Sequence, residues 1–283
     1  MSTPDHSQAR RRVERVAEGS RTSLDDRVAI EEPMEIRVDH AIDGKRVAKS
    51  LSITMRTPGH DFELAAGFLY TEGILRQPGD IETIEFCGPA VEGRDTSNIV
   101  KVTVADHVAL DLERLQRNFY ATSSCGICGK ASLDAIAVQG IEKPTAQWTL
   151  TTARVHELPK ILRANQPVFE TTGGLHASAL VSADGVVECV REDVGRHNAV
   201  DKLIGSRLLR SQTPIDDRVL VLSGRAGFEL IQKAVVAGIA IVVAIGAPSS
   251  LAVELAESYD MTLVGFASHD RFNIYSGGHR IGS

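Results

Sequence analysis

The chain has 283 residues, of which 43% are hydrophobic and 24% charged, with a formal net charge of −6. That is the composition of a globular protein with ample core. It excludes a generally basic nucleic-acid footprint, and no apolar run is long enough to span a bilayer.

Residues 1–26 are polar and arginine-rich, including Arg10, Arg11 and Arg12, and read as a disordered tail without the apolar core of a secretory signal. A cytoplasmic location is therefore expected. From Val28 the pattern becomes strand-like. Val28–Val38 and Val47–Met55 are joined through Asp43-Gly44, a strong hairpin signal. Asp61 is positioned to cap a helix whose apolar face carries Phe62, Ala65, Ala66 and Leu69. Ile81–Phe86 and Ile99–Val104 complete a small α+β unit over residues 27–115.

A second unit is expected over 116–283. It opens on Cys125-Gly-Ile-Cys128-Gly-Lys130, followed by a helical run from Ala131 to Val138. A helix start and a lysine both favour thiolate, the nucleophilic and metal-binding form of cysteine. Further on, a helix is expected from Val155 to Ala164, then a hairpin turning at Asp184-Gly185 between Ala177–Ser182 and Val186–Val190. The last third alternates strand and helix: Val219–Leu222, Phe228–Ala237, Ile239–Ile245, Leu251–Tyr259 and Met261–Phe266. Such alternation with continuous apolar strands predicts a parallel sheet covered on both faces.

In open α/β sheets, ligands collect beyond the carboxyl ends of the strands. Ser223-Gly-Arg-Ala-Gly227 and Gly246-Ala-Pro-Ser-Ser250 follow strands, and Arg225 with the loop N–H groups suits an anionic group. Phe266, Ala267, Ser268, His269, Asp270 and Arg271 also lie past a strand, offering a ring, donors and a guanidinium. Arg191, Glu192, Asp193, Arg196 and His197 form a dense ionisable cluster, with a structural salt-bridge network as the competing explanation. His176 follows Gly173-Gly174 and could be functional or a core histidine, whereas Asp134 and Asp201 read as surface or capping residues.

Four cysteines, Cys87, Cys125, Cys128 and Cys189, do not make a disulfide framework, and Cys87 and Cys189 read as packed residues. The CxxC leaves several roles open: half of a zinc site, a redox pair, a sulfur carrier, or structure. A deaminase is rejected because no HxE occurs and Ser124 stands where PCxxC needs proline.

Several separated blocks resemble the FdhD family of formate dehydrogenase accessory sulfurtransferases. They are FELAAGFLYTEGIL (62–75), CGICG (125–129), GGLHA (173–177), EDVGRHNAVDK (192–202), SGRAGFELIQK (223–233), and 263–266 with Arg271. The resemblance implies an α/β fold, with a cytidine-deaminase-like α/β core and a smaller N-terminal α+β unit, as a homodimer. It implies an enzyme, a sulfurtransferase that accepts sulfur as a persulfide from a cysteine desulfurase. The sulfur would pass to the molybdenum (or tungsten) bis-guanine-dinucleotide cofactor before insertion into formate dehydrogenase. The cofactor is then a bound substrate, with no permanent cofactor, resident metal, nucleic acid or membrane involved. Cys125 would hold the persulfide and Cys128 would be its companion. Phe266 to Arg271 matches the family's cofactor-binding segment. Arg225, His176, Arg196 and His197 are expected to bind the cofactor as well, with Arg225 and Arg271 neutralising phosphate, Phe266 packing on a base, and Arg196 and His197 lining the route between the cysteine and the metal. The tail, Tyr275-Ser-Gly-Gly-His-Arg280, departs from the His-Pro pair common in relatives. The alternative is a non-catalytic zinc- or nucleotide-binding cofactor chaperone.

Overall fold

The computed structural model describes residues 6–42, 44–93, 96–108 and 141–283. Cys125, Cys128, Lys130, the 131–138 run, Asp134, Asp43 and the boundary near 115 lie outside the described residues. The architecture is mixed α/β. Its largest sheet has six strands in the order β13-β12-β11-β10-β8-β9. These are β8 (His176–Val181), β9 (Val187–Asp193), β10 (Val219–Leu222), β11 (Ile241–Ala244), β12 (Thr262–Gly265) and β13 (Asn273–Ser276). Only β10, β11 and β12 run parallel; β8, β9 and β13 are antiparallel to their neighbours. The expected parallel sheet is therefore the centre of a mixed one. Two parallel strands need a crossover, and α5 (Phe228–Val236) and α6 (Ser250–Ser258) supply it. A hairpin needs none, and β8–β9 turns back at Gly185, whose φ is +87°.

The period of two along these strands divides the core. Ala177, Ala179, Val219, Val221, Ile241 and Val243 pack on Val155, Leu158 and Leu162 of α2 (Thr152–Ala164). Leu180, Leu220, Leu222, Val242 and Leu263 face the other way, toward α4 (Arg196–Leu208), α5 and α6. That second core continues without a break into the N-terminal unit. There β3 (Glu32–Ile42), β4 (Lys45–Arg56), β5 (Ile81–Phe86) and β6 (Ile99–Val104) form a sheet in the order β4-β3-β6-β5. Met34, Ile36, Val38, Val100 and Val102 on one face of this sheet pack with α1 (Asp61–Thr71). The β3–β4 hairpin closes with Ile42 opposite Lys45, as the Asp43-Gly44 pair predicts.

The contact between α1 and α4 holds the two units together. A Cβ on Gly67 would run into the carbonyl of Asp201, and one on Gly205 into the carbonyl of Glu63. The helices therefore touch backbone to backbone, and only glycine leaves that room. Around this contact lie buried charges. Asp201, read from sequence as a surface or cap residue, is instead buried: its Oδ1 accepts from Lys233 Nζ and Thr71 Oγ1, each at 2.9 Å. The helical spacing that placed it was right, but the α4 face it occupies is covered by α1 and α5. Burial disfavours a charged Lys233, yet Asp201 and Glu72 outweigh it and raise its pKa. Nearby, Asp193 Oδ2 accepts from Lys202 Nζ at 2.6 Å and from Thr57 N at 3.1 Å. Asp193 Oδ1 accepts from Gly195 N at 2.8 Å and Asn198 Nδ2 at 3.0 Å.

Two other expectations change. His60, at φ +59°, occupies the position before α1 and makes no side-chain cap. Asp61 instead receives the buried Arg56 guanidinium through bonds of 3.0 and 3.1 Å; an unpaired buried arginine would cost more than a helix cap gains. The expected tail contains a hairpin, β1 (Gln8–Ala17) and β2 (Ser20–Ala29), paired along its whole length. Its polar residues hid the alternation, because most side chains on both faces meet solvent. The two-stranded remainder pairs β7 (Leu150–Thr151) with β14 (Ile281–Gly282). Among the described residues no helix is long and apolar enough to cross a membrane.

Gly205→Ala is expected to lower unfolding free energy by about 2–3 kcal/mol, because the clashing atom is backbone and cannot rotate away; chemical denaturation checks this. Lys233→Met, which strands Asp201 without its cation, is expected to cost about 3–5 kcal/mol. Adding Asp201→Asn should recover part of that loss, and a double-mutant cycle in urea measures the coupling.

Candidate functional site at the carboxyl edge of the sheet

The strands β10, β11 and β12 all end on one edge, and three loops leave from it. The first, 223–227, is tied to β8: Ala177 N donates to Ser223 Oγ at 2.8 Å, and Ser223 N to the Ala177 carbonyl at 3.0 Å. The second, 245–249, is zipped to the first by Gly246 N to Gly224 O, Ala226 N to Ala247 O and Ser249 N to Ala226 O, 3.0–3.1 Å each. A Cβ at Gly246 would sit 2.8 Å from the backbone of Gly224 and Arg225, so this approach requires glycine. The third, 266–271, is joined to the second by Phe266 N to Gly246 O and to the end of β11 by Ala267 N to Ala244 O, both 3.1 Å.

Two adjoining pockets lie along this edge. One, of about 420 Å³, is lined by Arg163, Gln166, Phe169, Gly173, Gly174, Leu175, His176, Ser223 and Ile245. The other, of about 470 Å³, is lined by Phe266 to Arg271 and again by Ile245, which is the wall they share. In the first, the Arg163 guanidinium lies 4.2 Å over the Phe169 ring, a cation–π contact that fixes both. The His176 ring rests on Gly224, where an added Cβ would be 3.2 Å from Nδ1. Burial, and then the Arg196 guanidinium, pull the His176 pKa down; Asp193 opposes them weakly. His176 is therefore an uncharged donor or acceptor near neutral pH.

In the second pocket the chain folds tightly. Ser268 Oγ donates to Asp270 Oδ1 at 2.6 Å, and Ser268 N to the Arg271 carbonyl at 2.9 Å. His156 of α2 reaches the Ser268 carbonyl through Nδ1 at 2.9 Å and stands 5.0 Å from the Phe272 ring. A carbonyl can only accept, so His156 carries its proton on Nδ1. Phe266 adopts φ +54° and is 44% exposed. A left-handed phenylalanine is strained, and such strain gathers where a side chain must be aimed outward.

The sequence-predicted residues are distributed unevenly over this edge. His176 lines the first pocket and Phe266 to Arg271 the second. Arg225 is exposed on the first loop and lines neither. His197 Nε2 lies 3.1 Å from Glu229 Oε2 at the start of α5; burial lowers its pKa while Glu229 opposes. Arg191 is engaged by Glu63 at 2.5 and 2.7 Å. Burial would raise the Glu63 carboxyl, but Arg191 and His60 together hold it at about 2. Glu192 accepts from Val168 N and Phe169 N at 3.0 and 2.8 Å, anchoring α3 (Pro167–Thr172) beside the first pocket. Arg163, Gln166, Phe169 and Ile245 were not singled out from sequence; they carry no local motif and meet only through the tertiary fold. Among the described residues no group of three histidine, cysteine or carboxylate side chains is placed to hold a metal.

Residues 29–282 match the FdhD/NarQ family. The chain is 48% identical to the Sulfur carrier protein FdhD of Streptomyces coelicolor, covering 96% of this chain and 95% of that one. It is 48% identical to that of Mycolicibacterium paratuberculosis, with 97% and 98% covered, and 43% identical to that of Mycobacterium tuberculosis, with 98% and 99% covered. A crystal structure of a putative formate dehydrogenase accessory protein from Desulfotalea psychrophila superposes with a TM-score of 0.73 at 25% identity, over 97% of this chain and 99% of that one. With nearly every residue from the β2–β3 connection onward matched, the chain belongs to the FdhD/NarQ family.

Proposed function

We propose that this protein is a cytoplasmic sulfurtransferase, working as a homodimer, that activates a molybdenum bis-guanine-dinucleotide cofactor for formate dehydrogenase. The observation that carries the reading is the pair of pockets sharing Ile245, with the exposed Phe266 ring and the Arg271 guanidinium on one and Arg163 and His176 on the other. An aromatic face and cations side by side suit a base and phosphates, and two such pockets suit a ligand with two nucleotide arms. Support for the sulfur chemistry comes from the names of the relatives and from Cys125 and Cys128 in the sequence.

The steps balance as thiol exchange. The Cys125 thiolate attacks the terminal sulfur of a cysteine desulfurase persulfide; a new S–S bond forms on Cys125 and the donor leaves as thiolate. For delivery, the Cys128 thiolate attacks the inner sulfur of the Cys125 persulfide. A Cys125–Cys128 disulfide forms and the outer sulfur leaves at the sulfide level, ready to bind the metal of the bound substrate. An external thiol then reduces the disulfide. His156 serves the binding step by holding Ser268, and with it the 266–271 loop.

Intact-mass measurement after incubation with a cysteine desulfurase and cysteine should show one added sulfur that a reductant removes. Cys125→Ala should lack it. Stoichiometric zinc with no added sulfur while the desulfurase turns over would instead favour a non-catalytic chaperone. Binding of guanosine diphosphate, followed by calorimetry, should weaken about tenfold in Arg271→Gln, as for loss of a charge-assisted contact. His156→Leu should weaken it too. His156→Asn, whose amide replaces the Nδ1 donor, should retain most of the affinity.

A further inference from the structure

The β1–β2 ribbon carries an arginine pair that the proposed site does not yet use. Among the described residues the ribbon is hydrogen-bonded into no other sheet, and a lone two-stranded hairpin is marginal in water unless something else engages it. Its register sets Gln8 opposite Ala29, Arg10 opposite Arg27, Arg12 opposite Asp25, Glu14 opposite Ser23 and Val16 opposite Arg21. Side chains alternate along a strand, so these pairs share one face.

That face is anchored at its base beside the first pocket. Thr171 Oγ1 donates to Gln8 Oε1 at 2.9 Å, and Ala29 Cβ would lie 3.6 Å from a Cβ placed on Gly174. Gly173 and Gly174 form the pocket wall there. Arg10 and Arg27 are the next pair along, roughly 7 Å further up each strand, on the same face that meets Thr171 and Gly174. Arg12 has Asp25 at 3.6 Å and Arg21 has Glu14 at 3.5 Å. Among the described residues neither Arg10 nor Arg27 has a carboxylate partner. Like charges set directly opposite each other destabilise a hairpin, and an anion between them reverses the sign.

We propose that Arg10 and Arg27 form an anion clamp on the phosphates of a nucleoside diphosphate moiety seated in the Arg163–His176 pocket. The clamp rests on the nucleotide reading of that pocket and adds to it residues that precede the 29–282 match to the family. It engages charge only, so it contributes to affinity for phosphorylated ligands and nothing to recognition of the base.

Calorimetry on the full chain with guanosine diphosphate and with guanosine separates the possibilities. Arg10→Gln/Arg27→Gln should weaken guanosine diphosphate about tenfold, as for loss of a charge-assisted contact, and leave guanosine unchanged. Arg10→Lys/Arg27→Lys should keep part of the affinity, and Arg21→Gln, at the far end of the same face, should keep all of it. If the double glutamine variant binds guanosine diphosphate as the unmodified chain does while Arg271→Gln binds it weakly, the clamp is refuted and the site reading stands. If the unmodified chain binds no guanosine diphosphate, both fall.

Discussion

The structure depends on a few charges held out of water between three helices. Lys233 reaches from α5 to Asp201 on α4 and to Thr71 on α1, with Glu72 at 3.8 Å. A buried ion pair is poor at adding net stability, because desolvation offsets most of the attraction. It is demanding about geometry, however. The contacts close only when all three helices are in register, and a slip of one turn would leave a bare charge in the core. Apolar side chains of similar volume would tolerate several packings. The backbone contact at Gly67 and Gly205 sets the distance between α1 and α4, and the ion pair sets their rotation.

This arrangement reaches the site through connectivity. α5 begins at the residue after the 223–227 loop, so fixing Lys233 on α5 also fixes where that loop leaves β10. Asp193 does the same at the other side: it ties Lys202, Asn198 and the Gly195 N–H together, and so sets the turn that presents Arg196 and His197. The segment EDVGRHNAVDK, one of the blocks that carry the resemblance to the family, is thus mostly scaffold. Asp193, Asn198, Asp201 and Lys202 are spent inside the protein, and Glu192 holds a helix end. Residue types that mark a family need not be its reagents.

How much of this could be read from the sequence depends on the range of the determining interaction. The β3–β4 and β8–β9 hairpins were legible because the turn pairs Asp43-Gly44 and Asp184-Gly185 impose their geometry over four residues. The strands β10, β11 and β12 were legible because burial on both faces leaves unbroken apolar runs. The β1–β2 ribbon was not, since a polar hairpin has no apolar alternation to betray it. Asp201 was misread because helical spacing gives a face but not what covers that face. Asp61 was assigned a local capping role when its partner, Arg56, sits on the preceding strand, with nothing in the spacing to connect them. Of the site, the 266–271 loop could be seen as lying past a strand end. Arg163 and Phe169 could not be placed against it, because the order in which β8 joins β10 is a tertiary fact.

The charge balance shows the same separation between whole and part. A net charge of −6 suggests a protein that repels anions. Yet three carboxylates near the sheet edge are withdrawn: Asp193 is buried on Lys202, Glu63 is held by Arg191, and Glu192 by backbone N–H groups. Asp270 is engaged by Ser268 within its own loop. Arg225, Arg271 and the ribbon arginines remain toward solvent. Coulomb interactions in salt water act over about 8–10 Å, so an anion arriving at this edge responds to the local charges, those guanidiniums set against Asp270 and Glu229, rather than to the distant acidic surface. The strained φ of Phe266 belongs to the same design. It costs about 1–3 kcal/mol, offset by the backbone bonds to Gly246 and Ala244, and it turns a ring that would otherwise join the core outward beside the positive charge.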